Sequence, residues 1–164
     1  MTLIDICQWL EATAIATWVR ESTWGFQITV AVHLMGLVAS VGTVCWFDLR
    51  LVGASMVTNR ISAVYRRLAP WMFGGFAMMF VSGGMLFAGY ATDAVGNTYF
   101  RVKLLAMLGA GINALVYHAM TEKTREAWDT SPRPPLGARL AGGISLSLWL
   151  LVILCGRMIS YTMF

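Results

Sequence analysis

Four long apolar runs, separated by short polar segments, organise this chain. A helix needs about 20 mostly apolar residues to cross a bilayer. Four stretches meet that length, at about 23–47, 69–90, 99–120 and 139–161. The second starts just after Arg66 and Arg67, with Pro70 in its first turn, where a missing N–H is tolerated. Residues 3–19 mix Ile, Leu and Trp with Asp5, Gln8 and Glu11. That segment is too polar to span and predicts an amphipathic helix lying in the interface. "SPRPPLG" (131–137) reads as a stiff loop before the fourth span. The expected architecture is a single all-α transmembrane domain over 1–164, an antiparallel four-helix bundle with an N-terminal interfacial helix.

Composition agrees with the pattern. Hydrophobic residues make up 58% of the 164 residues and charged residues only 12%. A soluble domain carries about 25% charged residues, so a water-facing surface is not available. The net charge of +4 bears on topology rather than on nucleic acid. Cys7, Cys45 and Cys155 are isolated and read as small hydrophobes. The acidic N-terminus lacks the basic region of a signal peptide. The Trp residues Trp9, Trp18, Trp24, Trp46, Trp71 and Trp149 fall mostly near span ends and predict an aromatic belt.

Basic residues set the orientation. Arg50, Arg60, Arg66, Arg67, Lys123, Arg125, Arg133 and Arg139 share one side, eight in all, against Arg20, Arg101, Lys103 and Arg157 on the other. The positive-inside rule places both termini outside the cytoplasm.

Small and polar side chains mark the faces that meet other helices. In the first span Thr29, His33, Gly36, Ser40 and Thr43 fall within an arc of about 80°. In the third, Lys103, Met107, Gly111, Ala114 and His118 fit a similar arc of roughly 80°, with Asn113 well round from it. The second carries Gly75, Ser82 and Gly89, and "SGG" (82–84) marks a thin place for close approach. The bundle interior is expected to hold His33, Ser82 and Asn113, with Arg157 towards the outer rim.

An ionisable residue inside a span is a functional-site hypothesis. His33 has several readings: a structural hydrogen bond to Ser82, Asn113 or a carbonyl, an axial ligand to haem b, and, beyond these two, quinone binding, copper or a proton relay. His118, the other histidine, is either the second ligand or an interfacial residue at a helix end. Counted from the span starts, His33 lies about 17 Å deep and His118 about 29 Å, a mismatch of roughly 12 Å. Met78 or Met79, near the depth of His33, offers a His/Met alternative. Arg157 and Lys103 are candidates for haem propionates, against snorkelling to lipid headgroups.

The fragments "HLMGLVAS…FDLRLVG", "RRLAPW", "SGGMLF", "YFRVKLL", "NALVYH" and "GRMISY" together resemble a family of small bacterial four-span membrane proteins of unassigned function. They are also distantly similar to the membrane domains of copper-resistance-D-type and b-type cytochrome proteins. That resemblance implies a four-helix fold. Many such cytochromes use four histidines for two haems, whereas this chain has two in all.

The expectation is a small b-type haem protein passing single electrons to or from a quinone or a redox partner protein. His33 and His118 are the expected iron ligands, in a bis-histidine haem preferred over the His/Met pair. The alternatives are a cofactor-free anchor or assembly subunit of a larger complex, and a small transporter or ligand-binding protein. The bilayer is the certain surrounding, and a homo-oligomer or larger complex is compatible. No nucleophile–base pair or phosphate loop points to a hydrolytic or phosphoryl-transfer enzyme.

Overall fold

The computed structural model describes residues 2–121 and 124–163. Lys123, counted above among the basic residues, lies outside them. All regular structure among the described residues is helical: α1 (Leu3–Glu11), α2 (Ala14–Glu21), α3 (Gly25–Leu37), α4 (Thr43–Val52), α5 (Ile61–Gly89), α6 (Ala91–Gly96), α7 (Thr98–Thr121), α8 (Arg125–Trp128) and α9 (Leu136–Met163). A π turn over Val38–Gly42 joins α3 to α4 without a break. Four helices are therefore long and apolar enough to cross a membrane: Gly25–Val52, α5, α7 and α9.

The span boundaries differ from the hydropathy reading at the end where the basic loops lie. The first span runs on past Phe47 to Val52. Gly53, at φ 87°, stops it by taking the left-handed conformation that glycine adopts freely. The second begins at Ile61, so Pro70 sits in the helix interior rather than its first turn, and Arg66 and Arg67 are helical. Asp129 holds this early start. Its carboxylate accepts from the Ser62 amide (2.7 Å) and the Ser62 hydroxyl (2.7 Å), and its carbonyl accepts from the Ile61 amide (3.0 Å). A carboxylate at a helix N-terminus also complements the helix dipole. Arg50 is fully buried. It donates to the Asn59 carbonyl (3.0 Å) and the Ser131 carbonyl (3.0 Å), tying the two basic-end loops together.

The N-terminal segment is two helices rather than the single helix expected over 3–19. Thr13 caps α2 through its hydroxyl, which breaks the run. Thr2 caps α1 in a capping box with Asp5. The Thr2 backbone amide, and then its hydroxyl, hold the Asp5 carboxyl below the usual carboxylate range. Ala16 and Val19 are buried against the end of α5, where the Gly89 carbonyl accepts from Arg20 (3.2 Å).

Packing is closest where side chains are smallest. Gly36 and Gly75 face each other, and a β-carbon on Gly75 would lie 2.8 Å from the Gly36 carbonyl oxygen. Ser40 beside them donates to the Gly36 carbonyl (2.6 Å), and its Oγ lies 3.1 Å from Met79 Sδ. Gly142 of α9 meets α4 the same way, 2.9 Å from the Asp48 carbonyl oxygen by its added β-carbon. The spatial order follows: α7 packs on α9, α9 on α4, and α3 and α4 on α5. Spans α5 and α7 close no comparable seam, and a groove opens between them.

Two face assignments need correction. Trp149 is buried in mid-span against Phe76, at 5.5 Å between ring centroids, and is no part of an interfacial belt. Trp9, Trp18, Trp24, Trp46 and Trp71 are exposed as expected. On α7 the buried residues are Ala106, Ala110, Tyr117 and Thr121, and Asn113 donates to the Ala141 carbonyl of α9 (2.9 Å). Gly111 and Ala114 do not contact a helix partner in this way: they face the groove.

Candidate functional site

The first-span stripe does turn inward. Thr29, Gly36 and Ser40 are buried, and His33 and Thr43 are half-buried. His33 lies against α5, its Nδ1 3.0 Å from Ser82 Oγ. Ser82 has one hydroxyl proton, and it goes to the Met78 carbonyl at 2.7 Å. Ser82 Oγ therefore accepts from His33 Nδ1–H. In the neutral tautomer protonated at Nδ1 the lone pair is on Nε2, and the Met79 backbone also lies within hydrogen-bond reach of the ring. Gly83 makes room: a β-carbon there would stand 3.1 Å from His33 Cε1. The thin place read from "SGG" is thus filled by the imidazole.

Lys103 of α7 belongs to the same layer. It is close enough to act electrostatically on His33. Its ammonium lies by Cys155 and Gly156 of α9, 3.8 Å from where a β-carbon on Gly156 would be. Among the described residues no carboxylate pairs with it. His33 and Ser82 join the first span to α5, while Lys103 of α7, acting on His33, lies by Cys155 and Gly156 of α9; these residues are the polar layer.

His118 is not in that layer. Its ring stands 5.5 Å from that of Tyr65, near the other end of α5, and 5.4 Å from that of Tyr117. Tyr65 and Ser82 are 17 residues apart on α5, roughly 25 Å at 1.5 Å per residue. One haem bracketed by His33 and His118 of the same chain has no place in this arrangement. Nor does Arg157 enter the interior. It is exposed, donates to the Tyr161 hydroxyl (2.9 Å) and lies over that ring at 4.7 Å. Met79 sits one turn from Ser82 with its sulfur engaged by Ser40, and the Met78 side chain is exposed.

A second constellation was not anticipated. The groove between α5 and α7, ≈ 600 Å³, reaches from Phe80 and Met107 to Tyr65 and His118. Asp48 of α4 lines it, only 4% exposed. Ser145 of α9 hydrogen-bonds that carboxyl, while Oδ2 has no partner among the described residues. The signal was available: "FDLR" puts an acid and a base in the last apolar turns of the first span. Ending that span at Phe47 assigned both to a loop.

Fold and sites together define a multi-pass helical membrane protein with a polar layer inside and a side groove. Comparison with family models, with curated proteins and with solved structures finds no match to this chain.

Proposed function

We propose that this chain is a small b-type haem protein of a bacterial inner membrane, passing single electrons to or from a quinone or a redox partner, with His33 as an axial ligand. The observation that carries the reading is the hydrogen-bond chain from His33 Nδ1–H to Ser82 and on to the Met78 carbonyl. A ligating histidine almost always donates its other ring N–H in this way, which fixes the tautomer and raises ligand basicity. Lys103 adds the second requirement, a cation near His33 without a carboxylate of its own among the described residues. A propionate would supply that carboxylate. When bound, the haem supplies one-electron chemistry. The chain's own residues orient the imidazole, place a positive charge beside it and exclude water with apolar spans.

The same reading takes the spans as an antiparallel bundle. Passing from Phe26 to Phe47 along the first span, the ring partners on and beside α5 run back from Tyr90 to Tyr65. Helices α1 and α2 then lie at the interface on the side of both termini, outside the cytoplasm by the basic-residue excess.

The structural alternative for His33 is an interhelical hydrogen bond worth about 0.6 kcal/mol on average in a membrane. The test is the spectrum of protein produced with ample haem. Wild type should show a Soret band and a reducible α-band. His33→Ala should lose both, and His118→Ala should keep them. Colourless wild type, or an unchanged spectrum in His33→Ala, refutes the assignment and leaves the cofactor-free subunit.

A further inference from the structure

We infer that the groove between α5 and α7 binds the ring of a lipid-soluble hydroquinone, with a ring hydroxyl hydrogen-bonded to Asp48. The site stands without the haem at His33. Its size, ≈ 600 Å³, lies within the range of about 300–1,000 Å³ usual for small-molecule sites. Its walls are aromatic, from Phe47, Tyr65, Phe76, Phe80, Tyr117 and Trp149. Such walls suit a flat ring, which stacks or meets them edge to face.

The rim says where the ligand comes from. Leu108, Ile112 and Leu115 line the groove and are also exposed on the apolar surface of the span. A long hydrocarbon tail could remain in the bilayer while the ring enters sideways. Gly111 faces the open space, and a β-carbon on it would meet nothing within 4 Å. The small residues of the α7 stripe thus supply width.

The floor selects the head group. Asp48 is buried, hydrogen-bonded on one side by Ser145, and left with Oδ2 unpartnered. A buried polar atom without a partner is costly, so a ligand that completes it binds in preference to one that does not. An acyl chain offers nothing. A quinone carbonyl only accepts. A phenolic hydroxyl both donates and accepts, so it pairs with the carboxyl in either protonation state. That property favours the reduced, hydroxylated ring. At its other end the groove reaches Phe80 and Met107, each about one turn from the His33 and Lys103 layer.

The test is calorimetric titration of the full-length chain in detergent with a decyl-tailed benzohydroquinone. Decyl alcohol and the oxidised quinone are run alongside. Saturable binding of the hydroquinone is expected, tighter than the quinone and tighter than the alcohol, which has a hydroxyl but no ring for the aromatic walls. Asp48→Leu, close in size, should weaken it by about 10- to 100-fold, as loss of a hydrogen bond to a charged group does. Gly111→Leu should abolish it by filling the groove, and the open space there lets this variant fold even if Asp48→Leu does not. Binding should persist in His33→Ala, which separates this site from the haem. Equal binding of decyl alcohol, undiminished binding in either groove variant, or loss of binding in His33→Ala overturns the inference.

Discussion

A methyl group added at Gly75 should destabilise the bundle, and the same methyl added next door at Gly74 should not. A β-carbon on Gly75 would come 2.8 Å from the Gly36 carbonyl oxygen and 2.9 Å from the Ala39 carbonyl carbon, and would also meet the Ser40 amide. All three are backbone, so no rotamer change relieves them. The Ser40 amide is the nearest of the three, so reaching ordinary contact at about 3.5 Å requires the first span and α5 to part by roughly 1 Å. Overpacking of this kind costs about 1–3 kcal/mol. At Gly74 a β-carbon meets nothing within 4 Å. Both variants gain the same helix propensity, about 1 kcal/mol for Gly to Ala, so that contribution cancels in the comparison. Unfolding by SDS titration in mixed micelles should therefore rank Gly75→Ala below Gly74→Ala by about 1–3 kcal/mol. Equal stabilities within roughly 0.5 kcal/mol, the usual error of additivity, would show that the two helices do not cross at this point.

Arg50→Met keeps the apolar stem but removes both loop ties, each a charge-assisted bond worth about 1.5–3 kcal/mol. Limited proteolysis between residues 53 and 60 and between 129 and 135 should accelerate, and unchanged resistance would place the tie elsewhere. Orientation is checked by reporter fusions after Asn59 and after Arg133, both expected to report cytoplasm because the basic excess lies on that side. Two reports from the far side would invert the topology.

Hydropathy located all four spans because a bilayer-length apolar run is a contiguous signal that needs no tertiary partner. It misplaced the ends at the basic side, where tertiary contacts decide. Asp129 starts α5 at Ile61 from another loop, and buried Arg50 extends the first span into what composition takes for a charged loop. The stripe on the first span was legible because small residues there do pack against a neighbour. On α7 the same rule failed. Gly111 and Ala114 are small to leave space, whereas Ala106 and Ala110 are small to admit α9. Composition alone does not distinguish the two uses. The π turn at Val38–Gly42 was invisible to a count based on a constant 100° per residue. His33, Ser82 and Lys103 were legible as polar residues within spans, but their grouping depended on helix order. The depth mismatch between His33 and His118 was already in the residue counts, and the positions of Ser82 and Tyr65 on α5 widen it.

The groove is the consequence of one feature, the open side between α5 and α7. Each of these spans has a well-packed partner, α5 on the first span through Gly36 and Gly75, and α7 on α9. Neither needs the other for stability, so the face between them is free to be shaped by something else. On that face lie the residues that generic packing does not explain. Asp48 is buried with an oxygen that has no partner among the described residues, and a β-carbon on Gly111 would meet nothing within 4 Å. A purely structural bundle gains by closing such a seam, because unpaired polar atoms in apolar surroundings are costly. A bundle that handles a membrane-soluble ligand must keep the seam open and line it with groups that the ligand completes. The two proposed sites also divide the first span. His33 and Asp48 are 15 residues apart, roughly 22 Å at 1.5 Å per residue, with the π turn between them. A ring that contacts Asp48 therefore cannot also contact His33. Only a group reaching towards the Phe80 end of the groove would bring the two into communication.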